Sequence, residues 1–212
     1  NTKIRGSVKV VKFGEENDPL EGAEFTIYNK SDINFENPLK TKATDENGQV
    51  IFENLEYGDY VIRETKAPEG YNLEVVGDET SQNREVSITE NLKVYELEYS
   101  NTKIRGSIEK TKFGENADTL EGVEFTLYEK ADSEFKNPIL VAITDANGIA
   151  KFENVQYGEY VIKETKEKAG YNNSDKTVEI NVLENEALYK ATFENTKIRG
   201  SIEVIKKDDK GR

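Results

Sequence analysis

The sequence predicts an all-β chain made of tandem β-sandwich modules. Three observations carry that expectation: a long-range repeat, short runs alternating with period two, and turn signals between the runs. The string NTKIRGS occurs at Asn1, Asn101 and Asn195. PLEGAEFTIYNK from Pro19 returns as TLEGVEFTLYEK from Thr119, and ATDENGQVIFENLEYGDYVIRETKAPEGY from Ala43 returns as ITDANGIAKFENVQYGEYVIKETKEKAGY from Ile143. Such self-similarity marks repeated structural units. The copies keep an offset of 100 as far as Tyr71 and Tyr171, after which the second is six residues shorter, so the difference belongs to one loop near Val76–Asn83. The expected organisation is module one at 1–101, module two at 102–195, and the first strand of a truncated third module at 196–212. The short linker has no Gly/Ser or Pro tract, so the modules should follow one another stiffly.

Within module one, GSVKVVKF opens as a strand with Val8, Val10 and Lys12 on one face, because strand side chains alternate. EFTIY from Glu24, QVIFENL from Gln49, DYVIRE from Asp59, EVSIT from Glu85 and KVYELEY from Lys93 follow, all rich in β-branched and aromatic residues. Asn47-Gly48 and Asn147-Gly148 are the clearest hairpin turns. No window sustains a helical period, and several short strands in under a hundred residues indicate a sandwich.

Composition narrows the function. Hydrophobic residues make up 35% and charged residues 33%, and 29 basic against 42 acidic residues give a formal charge of −13. That balance argues against nucleic acid, which is met by basic patches. Cys, His, Met and Trp are absent, which removes disulfides, Cys/His metal sites and any His-based triad. The acidic loop GEENDP lacks the alternating ligands of an EF-hand and reads as solvated charge, so neither a metal nor a cofactor is expected. No apolar run reaches membrane-spanning length. Both ends read as cuts through a longer protein, so a missing export or anchoring signal is uninformative.

Three polar residues fall where apolar ones belong. Six residues beyond Gly6, Gly106 and Gly200 stand Lys12, Lys112 and Lys206, while the residues between vary. In the third copy Ile202 and Val204 share the lysine's face; in the second, Lys110 also takes an inward position. Glu64 lies on the face of Tyr60 and Ile62, and Glu164 on that of Tyr160 and Ile162. Asn101 continues the face of Tyr95, Leu97 and Tyr99, and Asn195 that of Tyr189, Ala191 and Phe193. Each has an ordinary explanation: a lysine stem lying on apolar surface, a glutamate at an exposed strand end, an asparagine in a turn. Both modules nevertheless carry all three, and a buried unpaired lysine costs several kcal/mol.

The trio has a chemistry. Burial lowers a lysine's pKa and raises a glutamate's, so both move toward neutrality. A neutral amine is a nucleophile, and a carboxamide is its electrophile when the leaving nitrogen is protonated. A glutamic acid between them can donate to the amide and accept the amine's proton. The product is an Nε–Cγ amide joining Lys12 to Asn101 and Lys112 to Asn195, with ammonia released.

The run GSVKVVKF … PLEGAEFTIY … TDENGQVIFENLEYGDYVIRETKAPEGY … NTK closely resembles the CnaB-type (prealbumin-like, SpaA-type) domains of Gram-positive surface adhesins and pilins, across both modules. YVIRETKAPEGY is the most specific segment; YVIKETKEKAGY departs from it at Glu167-Lys168 and keeps the glutamate. The resemblance implies a seven-stranded or similar Ig-like sandwich with a spontaneous Lys–Asn isopeptide bond assisted by the glutamate. The catalytic role falls on Glu64 and Glu164, and the cross-links on Lys12–Asn101 and Lys112–Asn195. Asn1 and Lys206 belong to triads completed by neighbouring modules outside this chain.

The expected function is a stalk segment of an extracellular, cell-wall-anchored adhesin, monomeric, whose partners are the adjacent modules of the same polypeptide. Any host ligand is expected to engage a domain outside this chain. Two alternatives stand beside it: a shaft pilin subunit, and an adhesive module binding through the loops after Tyr71 and Tyr171. A turnover enzyme is not expected, because each site consumes its own nucleophile.

Overall fold

The computed structural model describes residues 2–73, 83–173 and 176–206. Seven strands form in each copy among these residues. The first set is β1 Arg5–Phe13, β2 Glu24–Asn29, β3 Lys40–Ala43, β4 Gln49–Glu56, β5 Gly58–Lys66, β6 Asn83–Ile88 and β7 Val94–Ser100. The second is β8 Arg105–Phe113, β9 Glu124–Glu129, β10 Leu140–Ile143, β11 Ile149–Gln156, β12 Gly158–Lys166, β13 Thr177–Val182 and β14 Leu188–Glu194. A single 3-10 turn at Glu115–Ala117 is the one helical element among the described residues. Most of the loop expected to hold the length difference, 76–82, lies outside them.

Each copy is a sandwich of a three-stranded sheet, β4-β1-β7 or β11-β8-β14, and a four-stranded sheet, β3-β2-β5-β6 or β10-β9-β12-β13. The chain divides into two compact units, Asn1–Arg105 with Leu183–Asn185, and Gly106–Val182 with Glu186–Arg212. In the first, the inner faces of both sheets supply one core, with Val8, Val10, Phe25, Ile27, Phe52, Ile62, Ile88 and Tyr99 buried together. Alternation produces it: β1 buries every second side chain from Gly6 to Lys12. First and last strands are neighbours, β1 lying parallel to β7 with Lys12 opposite Tyr99, and β8 parallel to β14 with Lys112 opposite Phe193.

One expectation needs correction, and two further features go beyond the sequence reading. Asn47-Gly48 does turn the chain tightly, with the Asp45 carboxylate accepting from the Asn47 and Gln49 amides at 3.0 and 2.8 Å. The strands on either side, β3 and β4, belong to different sheets, so the turn changes layers instead of closing a hairpin. Gly48 is required there twice over: its φ is +68°, and a Cβ would lie 2.3 Å from the Lys12 carbonyl oxygen. β3 was not expected from the sequence, because KTKA is exposed throughout and has no apolar alternation. Within the 196–212 segment, expected to be the first strand of a third module, the described residues Gly200–Lys206 form no strand, and Ile202 and Val204 are 93% and 85% exposed. β1 and β8 are each held between two partner strands; residues 196–206 contain no equivalents of those partners.

The NTKIR segments and the acidic loops explain each other. Tyr71 bridges Lys103, with backbone bonds from Asn72 N to Thr102 O and from Ile104 N to Gly70 O, both 2.8 Å. The Glu15 carboxylate receives both Arg105 nitrogens at 2.8 and 2.7 Å and the Lys103 amide at 3.1 Å. The Arg105 guanidinium, assisted by that amide, draws the Glu15 pKa down to about 2. Glu115 repeats the clamp on Arg199 and the Lys197 amide, again with its pKa lowered to about 2. The first carboxylate of GEENDP is therefore a clamp on the chain and not merely solvated charge.

Candidate functional site

Lys12 projects inward from β1, the central strand of its sheet. Its backbone is fixed on both sides, by Lys12 N donating to Gly48 O at 2.7 Å and Leu20 N donating to Lys12 O at 3.1 Å. Asn101 sits one residue past β7, where Asn101 N donates to Phe13 O at 3.1 Å and prolongs the parallel ladder. Glu64 comes from β5 in the facing sheet, paired across from Phe25 on β2. Two strands of one layer thus present the amine and the carboxamide, and the opposite layer presents the acid.

The three side chains meet in the core. Lys12 Nζ donates to Glu64 Oε2 at 2.9 Å and Asn101 Nδ2 donates to Glu64 Oε1 at 2.8 Å. Relative exposures are 0%, 2% and 1% for Lys12, Glu64 and Asn101, so no water competes for these contacts. Asn101 Oδ1 is buried without a hydrogen-bond partner. Phe25 and Tyr99 meet edge-to-face 4.8 Å apart beside the site, and the Tyr99 hydroxyl donates to Ile62 O at 2.7 Å. Burial pushes that phenol's pKa upward.

Module two repeats the arrangement more tightly. Lys112 Nζ donates to Glu164 Oε2 and to Asn195 Oδ1, each at 2.6 Å, while Asn195 Nδ2 donates to Glu164 Oε1 at 2.7 Å. All three residues are at most 1% exposed. Burial pulls the Lys112 pKa down, opposed by its bond to Glu164. Asn195 N donates to Phe113 O at 3.0 Å, the same ladder extension as in module one.

Six of the residues singled out from the sequence therefore gather into two clusters of identical membership. Of the two residues assigned to partial triads, Lys206 is exposed, and Asn1 lies outside the described residues. Two features were not read beforehand. The Tyr99 hydroxyl bond has no counterpart at Phe193, a Tyr-to-Phe difference visible in the repeat alignment. Lys110, recognised only as an inward residue, is fully buried, and its Nζ has no hydrogen-bond partner.

Chemically, each glutamate accepts from both neighbours, the pattern of a carboxylate beside an ammonium. Moving one proton along the Nζ–Oε2 bond turns the ion pair into a neutral amine and a carboxylic acid. In a buried site that transfer removes two desolvated charges, so it is far easier than in water. The acid then lies next to the carboxamide nitrogen.

A family model for the SpaA prealbumin-like fold domain matches residues 6–103 and again 106–197. Among solved structures, the Bacillus anthracis TIE protein aligns over 92% of this chain at 28% identity with a TM-score of 0.79; the chain spans about a third of that protein, 34%. A C-terminal fragment of the pilus adhesin SpaC from Lactobacillus rhamnosus GG aligns over 95% of this chain and 100% of its own, at 15% identity and a TM-score of 0.60, a likeness of fold. No curated protein sequence matches the chain. Among the described residues no helix is long and apolar enough to cross a membrane.

Proposed function

The chain belongs to the SpaA-type prealbumin-like domain family, and from that premise we propose that each module closes itself with an intramolecular Lys–Asn isopeptide bond and serves as a stalk unit of a Gram-positive surface adhesin or pilus. The observation that carries this reading is the shared carboxylate: in both modules one buried glutamate holds the amine on one oxygen and the carboxamide nitrogen on the other.

The reaction follows from those contacts. Glu64 Oε2 takes the proton from Lys12 Nζ, and the free amine attacks Asn101 Cγ. The glutamic acid passes its proton to Nδ2 as the Cγ–Nδ2 bond breaks, and it takes up one of the two protons left on the attacking nitrogen, the other staying on the new amide. The products are one amide and one ammonia, with no redox change and no cofactor. Glu164 bridges Lys112 and Asn195 in the same way and relays a proton from the attacking amine to Asn195 Nδ2 as the amide forms. The site acts once, which is cross-linking and not turnover.

The bond joins the strands through which tension enters and leaves a module. Lys112 and Asn195 are 83 residues apart, about 280 Å of extended chain that the amide would withhold from stretching. Closing a loop of this size stabilises the fold by about 4–5 kcal/mol in the chain-entropy model. Unlike a disulfide, the link is indifferent to redox state, which suits a cysteine-free chain outside the cell. Pulling the full chain from its ends tests the role: no unfolding step of that length is expected from either module. Full-length extension of both would overturn the mechanical reading.

A further inference from the structure

We propose that Lys110 is a buried proton acceptor for the cross-linking reaction of module two, holding the proton that Lys112 sheds and remaining as the counter-ion of Glu164 once the bond has formed. This rests on the cross-linking reading above and assigns a role to a residue which that reading does not use.

Lys110 and Lys112 stand two residues apart on the inward face of β8, and both are 0% exposed. Both Nζ atoms lie over one ring, Phe193, at 3.5 and 5.4 Å from its centroid. The fold makes room for the second amine. Module one has Val10 at this position, opposite Leu97 on β7 and Val50 on β4. Module two has Lys110, opposite Ala191 on β14, with Ala150 at the position equivalent to Val50. Two neighbours are reduced to alanine where the lysine stem runs, so Lys110 is housed and not merely tolerated. Its ammonium would nevertheless be costly: Nζ has no hydrogen-bond partner, and it faces the rings of Phe193 and Phe125, at 3.5 and 6.0 Å from their centroids.

The titratable groups around the pair are few. Lys112 on β8 and Glu164 on β12 act on Lys110, and Glu194 on β14 acts on Lys112. Burial, followed by the neighbouring Lys112 charge, brings the Lys110 pKa down to about 7 against the pull of Glu164. One carboxylate facing two amines admits one ammonium at no net charge. Carried by Lys112, the proton leaves that amine unreactive. Carried by Lys110, it frees the Lys112 lone pair while Glu164 stays ionised. Protons balance: Lys112 ammonium, Lys110 amine and the Asn195 carboxamide become the Lys112–Asn195 amide, ammonia and Lys110 ammonium. In module one the same neutral amine forms only by protonating Glu64.

The test follows ammonia loss, mapped to the Lys112 and Asn195 peptides, in the full chain refolded from denaturant across the neutral pH range. In the wild type the rate is expected to fall below about pH 7, as Lys110 titrates. Lys110→Met keeps the stem and removes the base; its module-two rate should drop about tenfold or more above neutrality and lose the step. The module-one pair, Lys110→Val with Ala191→Leu, gives the same comparison should the methionine variant fail to fold. Conversely, Val10→Lys with Leu97→Ala and Val50→Ala should introduce the step into module one. A Lys110→Met chain that cross-links at the wild-type rate with an unchanged pH profile overturns the proposal. A wild-type chain that loses no ammonia from module two overturns the cross-linking reading beneath it.

Discussion

Module one and module two carry the same amine, acid and carboxamide on the same strands, yet they surround them differently. In module one the core next to the site is apolar, with Val10 against Leu97, and Tyr99 spends its hydroxyl on Ile62 O. In module two the equivalent positions are Lys110, Ala191 and Phe193, and the Lys112 amine touches both partners instead of one. The shared elements are those the proposed cross-linking needs; the variable ones place a second buried amine beside them in module two alone. The repeat therefore works as an internal control, and substitutions in one copy can be read against the other in a single molecule.

Removing the acid should have the largest effect. Glu64→Gln and Glu164→Gln should each abolish ammonia loss in their own module alone, as intact mass and peptide mapping would report. Each also strands a buried amine, at a cost of about 3–5 kcal/mol. Glu164→Gln should destabilise more, since it leaves two amines without an anion; equal urea midpoints would break that part of the comparison. Next comes Lys12→Ala, which should leave module one folded but without the roughly 4–5 kcal/mol of loop closure. It should be digested faster by protease while module two resists unchanged.

A third effect separates the modules by pH. In Asn195→Ala no bond can form, and both amines of module two remain beside Glu164. The Lys110 pKa is about 7 when folded, against about 10.4 in an unfolded chain. Between those values the unfolded state binds a proton that the folded state does not, so stability rises with pH across this window. The slope is about 1.4 kcal/mol per pH unit at most, and the gain flattens below the folded pKa. Urea titrations of Asn195→Ala should show this rise, and Asn101→Ala, with Val10 at that position, should lack the Lys110 contribution. The smallest effect is Tyr99→Phe, which makes module one resemble module two at that residue. It should cost about 1 kcal/mol through one lost buried bond, visible as a small drop in urea midpoint.

Much of this was legible in the residues because two copies constrain each other. The alternation of Val8, Val10 and Lys12 gave the facing of β1, and the same arithmetic placed Glu64 and Asn101 inward. Less legible were features that depend on a neighbour distant in sequence. KTKA carries no pattern, because an edge strand with both faces exposed has no apolar side to declare. Asn47-Gly48 reads as a hairpin until the flanking strands are known to lie in different layers. Glu15 looks solvated until Arg105 arrives from ninety residues on. Lys110 was visible as an anomaly, but its meaning required Ala150 and Ala191 to be seen beside it. Gly200–Lys206 carries the pattern of β1 without forming a strand, because pattern sets which side chains share a face and not what the backbone pairs with.

The proposed stalk role requires a covalent bond between Lys12 and Asn101 and another between Lys112 and Asn195. High-resolution intact mass of the purified full-length chain tests it most directly. The predicted result is a deficit of two ammonia molecules from the sequence mass, falling to one in either Glu→Gln variant. A wild-type chain at its full sequence mass would contradict it.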